Sequence, residues 1–122
     1  MTPALSFGRI LLASIFLISG ARKAFAFAPT AEFMRAHGLP AAEILLVAAI
    51  ALELAGGAML VLDVLVAPAA FVLAAFCIVS GLIFHNPWTS DAAQYMNQFN
   101  HFLKNVALAG GLVIAGATAK RT

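Results

Sequence analysis

Apolar positions run through this chain in four long blocks divided by short polar breaks. They cover about Leu5 to Ala24, about Ala41 to Leu62, Val64 to His85, and about Phe99 to Ala119. Each block has the ~20 residues a helix needs to cross ~30 Å of hydrocarbon. The third carries no charge before its final His85. The pattern predicts an all-α protein: an integral membrane, antiparallel four-helix bundle forming a single transmembrane domain over residues 1–122. In the first block Arg22 and Lys23 follow the apolar run. A cleaved signal peptide carries its charge before the run, so a retained span is expected.

The breaks have their own patterns. "PTAEFMRAHGLP", Pro29 to Pro40, places Thr30 as a helix N-cap, Glu32 in the first turn and Gly38 as a stop. Phe33 and Met34 beside Arg35 and His37 predict a short interfacial helix between spans one and two. The second break is little more than Asp63, so spans two and three must be antiparallel neighbours. In "HNPWTSDAAQYMN", Pro87 ends span three and Trp88 and Tyr95 suit the headgroup region. Ser90 is a candidate N-cap, which would start the fourth helix outside the hydrocarbon. Four spans put both termini on one face. Arg9, Lys120 and Arg121 lie toward that face, and Arg22, Lys23, Arg35 and Lys104 toward the other. The balance is nearly even, and both termini are expected to be cytoplasmic.

Steps of three and four residues mark one helix face. In span one Arg9, Ala13, Phe16, Gly20 and Lys23 share a face; in span two Ala42, Leu46, Ala49, Glu53 and Gly57 do, with Gly56 beside them. In span three the face is Ala70, Ala74, Cys77, Gly81 and His85. In span four Gln94, Asn97, His101 and Lys104 lead into Ala107, Gly111, Ala115 and Ala119. Small residues allow close helix packing in membranes. Four such faces turned inward would enclose a polar pocket, with Leu12, Ile15, Leu52, Val72 and Leu112 filling gaps or facing lipid. Glu53 lies ~18 Å into span two at 1.5 Å per residue. A carboxylate at that depth is costly alone, so a partner is expected, either Lys104 or Arg9. Lys104 has a second option, snorkelling among His85, Asn97 and His101.

Composition agrees with a membrane setting. Only 10% of the 122 residues are charged, against about 25% in a typical soluble domain. The net charge of +2 is scattered, so no basic patch for nucleic acid exists. Cys77 is the one cysteine, which excludes an intramolecular disulfide or a CxxC pair. Its neighbours predict a packing role. His85 and His101 fall short of the three or four protein ligands usual for a metal, so no metal site is assigned. His85 is expected to cap the bundle end through Asn86 or the fourth helix.

Several segments together resemble one family. They are "FGRILLASIFLISGARK", Phe7 to Lys23; "HGLP", His37 to Pro40; "ELAGGAML", Glu53 to Leu60; "FHNPW", Phe84 to Trp88; and "FLKNVALAGG", Phe102 to Gly111. In this order they resemble the DoxX family, with Arg9, Gly20, Lys23, Glu53, Gly57, His85, Lys104 and Asn105 at the matching positions. The resemblance implies a four-helix bacterial inner-membrane protein. The family is named for a subunit associated with a terminal quinol oxidase, and relatives are linked to thiosulfate oxidation coupled to quinone.

The expected function is a redox-associated membrane subunit that binds a quinone or a partner oxidoreductase through an intramembrane polar pocket. The candidate pocket residues are Arg9, Lys23, Glu53, His85, Asn97, His101, Lys104 and Asn105. A quinone headgroup would accept hydrogen bonds from His85, Lys104 or Asn105 while Glu53 relays protons. The same pocket could instead admit a small anion through Arg9 and Lys104. A second class of function is a non-catalytic membrane scaffold or assembly factor. A third, small-molecule permeation, would require a homo-oligomer, because four spans alone make a narrow pore. No catalytic residue is assigned.

Overall fold

The computed structural model describes residues 3–84 and 91–119. Within them the chain is all-helical: α1 (Pro3–Phe25), α2 (Phe27–Ala36), α3 (Ala42–Leu62), α4 (Val66–Phe84) and α5 (Ala92–Ala117). The expectations for His85, Pro87, Trp88, Ser90, Lys120 and Arg121 concern positions outside the described residues.

Local chemistry sets the boundaries. Pro29 has no N–H, and its ring crowds the carbonyl four residues back, at Phe25. α1 ends at that residue and α2 begins after Ala26. Thr30, expected as an N-cap, instead sits inside α2, where its Oγ1 donates to Ala26 O at 2.7 Å. The expected stop holds. Gly38 adopts φ +82°, and Leu39 N–H closes the end of α2 by donating to Met34 O at 3.2 Å. Glycine takes this left-handed conformation without a Cβ clash. Between α3 and α4, Asp63 (φ 59°) and Leu65 (φ 47°) turn the chain, and Val64 N–H donates to Met59 O at 3.0 Å. That three-residue link makes α3 and α4 antiparallel neighbours. The cap of α5 is Asp91, whose Oδ1 accepts from Gln94 N–H at 2.9 Å.

Among the described residues three helices, α1, α3 and α4, are long and apolar enough to cross a membrane. α5 is longer, at 26 residues, but falls short on composition. Gln94, Asn97, His101, Lys104 and Asn105 make its first half polar. Apolar length alone therefore supports three crossings, not the four expected.

α1 packs chiefly on α3 and α4 chiefly on α5, while α3 joins the two pairs. The expected inner faces of α1, α3 and α4 are the buried ones. Arg9, Ala13, Phe16 and Gly20; Ala42, Leu46, Glu53, Gly56 and Gly57; and Ala70, Ala74, Cys77 and Gly81 all point inward. The expected face of α5 holds only in part: Ala115 is buried and Gly111 and Ala119 half-buried, but Lys104 and Ala107 are exposed, and the other buried residues are Ala109, Leu112 and Gly116. Leu112, expected to fill a gap or face lipid, is fully buried at the centre of the core with Leu60 and Leu73. Close approach explains the rotation. A Cβ on Gly116 would stand 2.9 Å from the Phe71 ring of α4, so Gly116, not the Lys104 line, marks the seam. A smaller cluster of Ala31, Met34, Ala42 and Leu46 packs α2 onto the start of α3.

Candidate functional site

The α1–α3 seam sets the site. A Cβ on Gly57 would meet Leu17 at 2.9 Å and Ala13 O at 3.4 Å, and one on Gly20 would meet Glu53 Cβ at 3.3 Å. Arg9 Nε donates to Leu60 O at 3.1 Å. The two helices thus run antiparallel, with Arg9 facing Leu60, Ala13 facing Gly57 and Gly20 facing Glu53.

This register decides which cation meets Glu53. Leu60 lies seven residues beyond Glu53, ~10 Å along the axis at 1.5 Å per residue. Helical side chains also lean toward their own N-terminus. Arg9 therefore leans away from Glu53, and its Nη1 lies 3.6 Å from Asp63 Oδ1. Lys23, one turn past Gly20, leans back. Its Nζ forms a hydrogen-bonded ion pair with Glu53 Oε1. The ammonium also stands over the Phe76 ring, 5.6 Å from its centroid, where the negative ring face attracts a cation. The expected Glu53–Lys104 and Glu53–Arg9 pairs are both overturned. Among the described residues Lys104 forms no ion pair with a carboxylate.

The Glu53 side chain is 2% exposed and that of Lys23 29%, and both line a cavity of about 460 Å³. All five helices contribute to its wall. α1 adds Ser19, α2 adds Thr30 and Phe33, α4 adds Ser80, and α5 adds Asn105. Most of the remaining wall is apolar. Asn105 Nδ2 donates to the Cys77 carbonyl at 3.1 Å, which fixes the amide on the cavity wall. The wall also includes Ile15, Leu45 and Val79, which are exposed on the outer surface. The cavity therefore borders the apolar exterior.

The remaining candidates lie elsewhere. Arg9 lines a second cavity of about 260 Å³ between α1 and α5. Asn97, His101 and Lys104 are exposed on α5 and line neither cavity. His85 lies outside the described residues. Among the described residues no three His, Cys, Asp or Glu side chains gather as metal ligands would.

Sequence reasoning missed the clasp between α2 and α3. Arg35 reaches Glu32 Oε2 at 2.8 Å and Glu43 Oε2 at 2.6 Å. The hydrogen bonds it donates to Glu32 and then Glu43 raise the guanidinium pKa above its ordinary value. Behind the clasp, Phe33 stacks on Phe84 with centroids 5.5 Å apart, and the His37 ring meets both. His37 Nδ1 lies 2.9 Å from Phe33 O. This arrangement holds α2 against the cavity at the end of α4. The i,i+3 spacing of Glu32 and Arg35 was a readable signal for one of the two bonds.

Against known proteins, the DoxX family model matches residues 4–86. That is most of the chain and includes Lys23 and Glu53. The chain belongs to the DoxX family. Inner membrane protein YqjF of Escherichia coli (strain K12) is 29% identical over 110 residues, which cover 90% of this chain and 79% of that protein. Inner membrane protein YphA of the same organism is 30% identical over 112 residues, again 90% and 79%. No solved structure matches the chain significantly. The DoxX match ends before α5, so Asn105 and the exposed polar residues of α5 lie beyond it.

Proposed function

We propose that this DoxX protein is a multi-pass inner-membrane protein whose cavity binds a quinone, as part of a redox-associated membrane unit. In this reading α1, α3, α4 and α5 are the four spans of an antiparallel bundle. α2 lies in the interface, and both termini are cytoplasmic. The names of the two relatives and the three apolar helices support the location. One observation carries the ligand: a largely apolar cavity of about 460 Å³ with the part-buried Lys23–Glu53 ion pair on its wall. Binding pockets for small molecules have this character, apolar walls with a few placed polar groups. Lys23 donates to a headgroup carbonyl, Glu53 holds the ammonium in place, and the apolar wall takes the tail. A bound quinone exchanges electrons with a partner oxidoreductase, which supplies the redox chemistry.

The test is mass spectrometry of lipid-soluble molecules that copurify with the protein. Wild type should carry a quinone, and Ala49→Trp, which fills the cavity wall, should carry none. Wild type without quinone, together with normal partner activity after Glu53→Gln, would sink this reading in favour of a scaffold or assembly factor. One observation favours that second reading. Gln94, Asn97, His101 and Lys104 form an exposed polar strip on α5 outside both cavities. There a partner protein would dock.

A further inference from the structure

We infer that Glu53 sets the charge selectivity of the cavity, so that it accepts a neutral amphiphile and rejects a carboxylate-headed one. This inference rests on the ligand-binding reading above. It concerns what distinguishes a quinone-like molecule from the fatty acids that share its membrane.

Lys23 is a cation half-open to an apolar cavity. Alone it would attract a fatty-acid carboxylate, since the surrounding apolar wall weakens screening. Glu53 prevents this by occupying the ammonium from inside the wall, where it is buried and bonded to Lys23 Nζ. The ammonium and the carboxylate together sum to zero charge. The other polar groups on the wall, Ser19, Thr30, Ser80 and Asn105, are neutral. The other described charges lie off the cavity. Arg9 is beside Asp63, and Arg35 is clasped by Glu32 and Glu43. An arriving anion would add an uncompensated charge at low dielectric, while a neutral carbonyl needs only a donor. Lys23 has three N–H donors. One is directed to Glu53, and the side chain still borders the cavity. Glu53 thus acts through Lys23, as a specificity-determining residue rather than a direct ligand contact.

Equilibrium binding to the full chain in phosphatidylcholine nanodiscs tests this, with decylubiquinone, palmitate and dodecylamine as probes. Wild type should prefer decylubiquinone to palmitate by about tenfold or more, and Glu53→Gln should shift that ratio toward palmitate by about tenfold. Lys23→Met is the mirror experiment. It leaves the carboxylate alone and should newly admit dodecylamine. The double variant Lys23→Met with Glu53→Gln should exclude both ions again. If Glu53→Gln does not fold, the dodecylamine arm decides. Equal binding of palmitate and decylubiquinone by wild type overturns the inference. So do unchanged ratios in the folded single variants. If decylubiquinone binds and the ratios do not move, only the charge inference falls. If decylubiquinone does not bind wild type, the quinone reading falls and takes the inference with it.

Discussion

Lys23 and Lys104 look alike in the sequence, each an ammonium in an apolar helix a few residues from its polar end. The structure treats them differently. Lys23 reaches back over Gly20 to a buried carboxylate and the face of Phe76. Lys104 is exposed, on the side of α5 that faces away from the core. The difference comes from what stands opposite. Gly20 lets α3 come close enough to put Glu53 at the level of the returning lysine chain. One position beyond Lys104, Asn105 takes the inward place and bonds the α4 backbone. An intramembrane charge therefore becomes informative when the facing helix and its register are known, and face alone does not provide that.

The strongest way to break this comparison is to remove each ammonium. Lys23→Met leaves Glu53 buried without its partner and should cost about 3–5 kcal/mol. Lys104→Met should stay within about 0.5 kcal/mol, as an exposed change does. Unfolding in detergent, with a double-mutant cycle through Glu53→Gln, measures both. Equal losses, or strict additivity at the Lys23–Glu53 pair, would reject the assignment. Next in size is the face of α5. Leu112→Ala empties a fully buried site and should cost about 2–5 kcal/mol. Gly111→Ala meets only the flexible end of Leu12 at 3.2 Å and should cost less. Equal thermal shifts for the two variants would reject Leu112 as the buried centre of this face. The smallest contrast concerns two glycines. Gly57→Ala crowds Leu17 and the Ala13 carbonyl and should destabilise by about 1–2 kcal/mol. Gly110→Ala enters open space and should stabilise by up to ~1 kcal/mol through helix propensity. Shifts of the same sign would mean that the α1–α3 seam is looser than described.

Much of the fold was legible because small residues recur at helical spacing. The lines through Ala13, Gly57 and Ala74 each identified a buried face correctly. α5 was misread in part because its polar residues run on one line into the small residues Ala107, Gly111, Ala115 and Ala119. The polar line drew the assignment, although Asn105, Ala109, Leu112 and Gly116 offered the same spacing. The start of α2 was misplaced because Thr30 resembles a cap, while the effect of Pro29 on Phe25 acts across the boundary. At the site, the sequence placed Lys23 and Glu53 on inner faces but paired Glu53 by depth alone. Depth counted from each helix end ignores the backward lean of helical side chains and the offset between neighbours, and here those two terms exchanged the partners. The Arg35 clasp was hidden in part because Glu43 belongs to the next helix.

The two contacts along the α1–α3 seam also constrain motion. Arg9 engages Leu60 and Asp63 at one end, and Lys23 engages Glu53 at the other. Sliding α1 along α3 by one turn, ~5.4 Å, would break both together and drive Leu17 across Gly57. The pair behaves as a ruler pinned at two marks: its halves can tilt a little, but they cannot be displaced. Any breathing that widens the cavity must come from the other walls. α2 is itself held by Ala31 and Met34 packed on Ala42 and Leu46 and by the Phe33–Phe84 stack, so the yielding wall is α4 with α5. The cavity thereby has α1 and α3 as its fixed jaw.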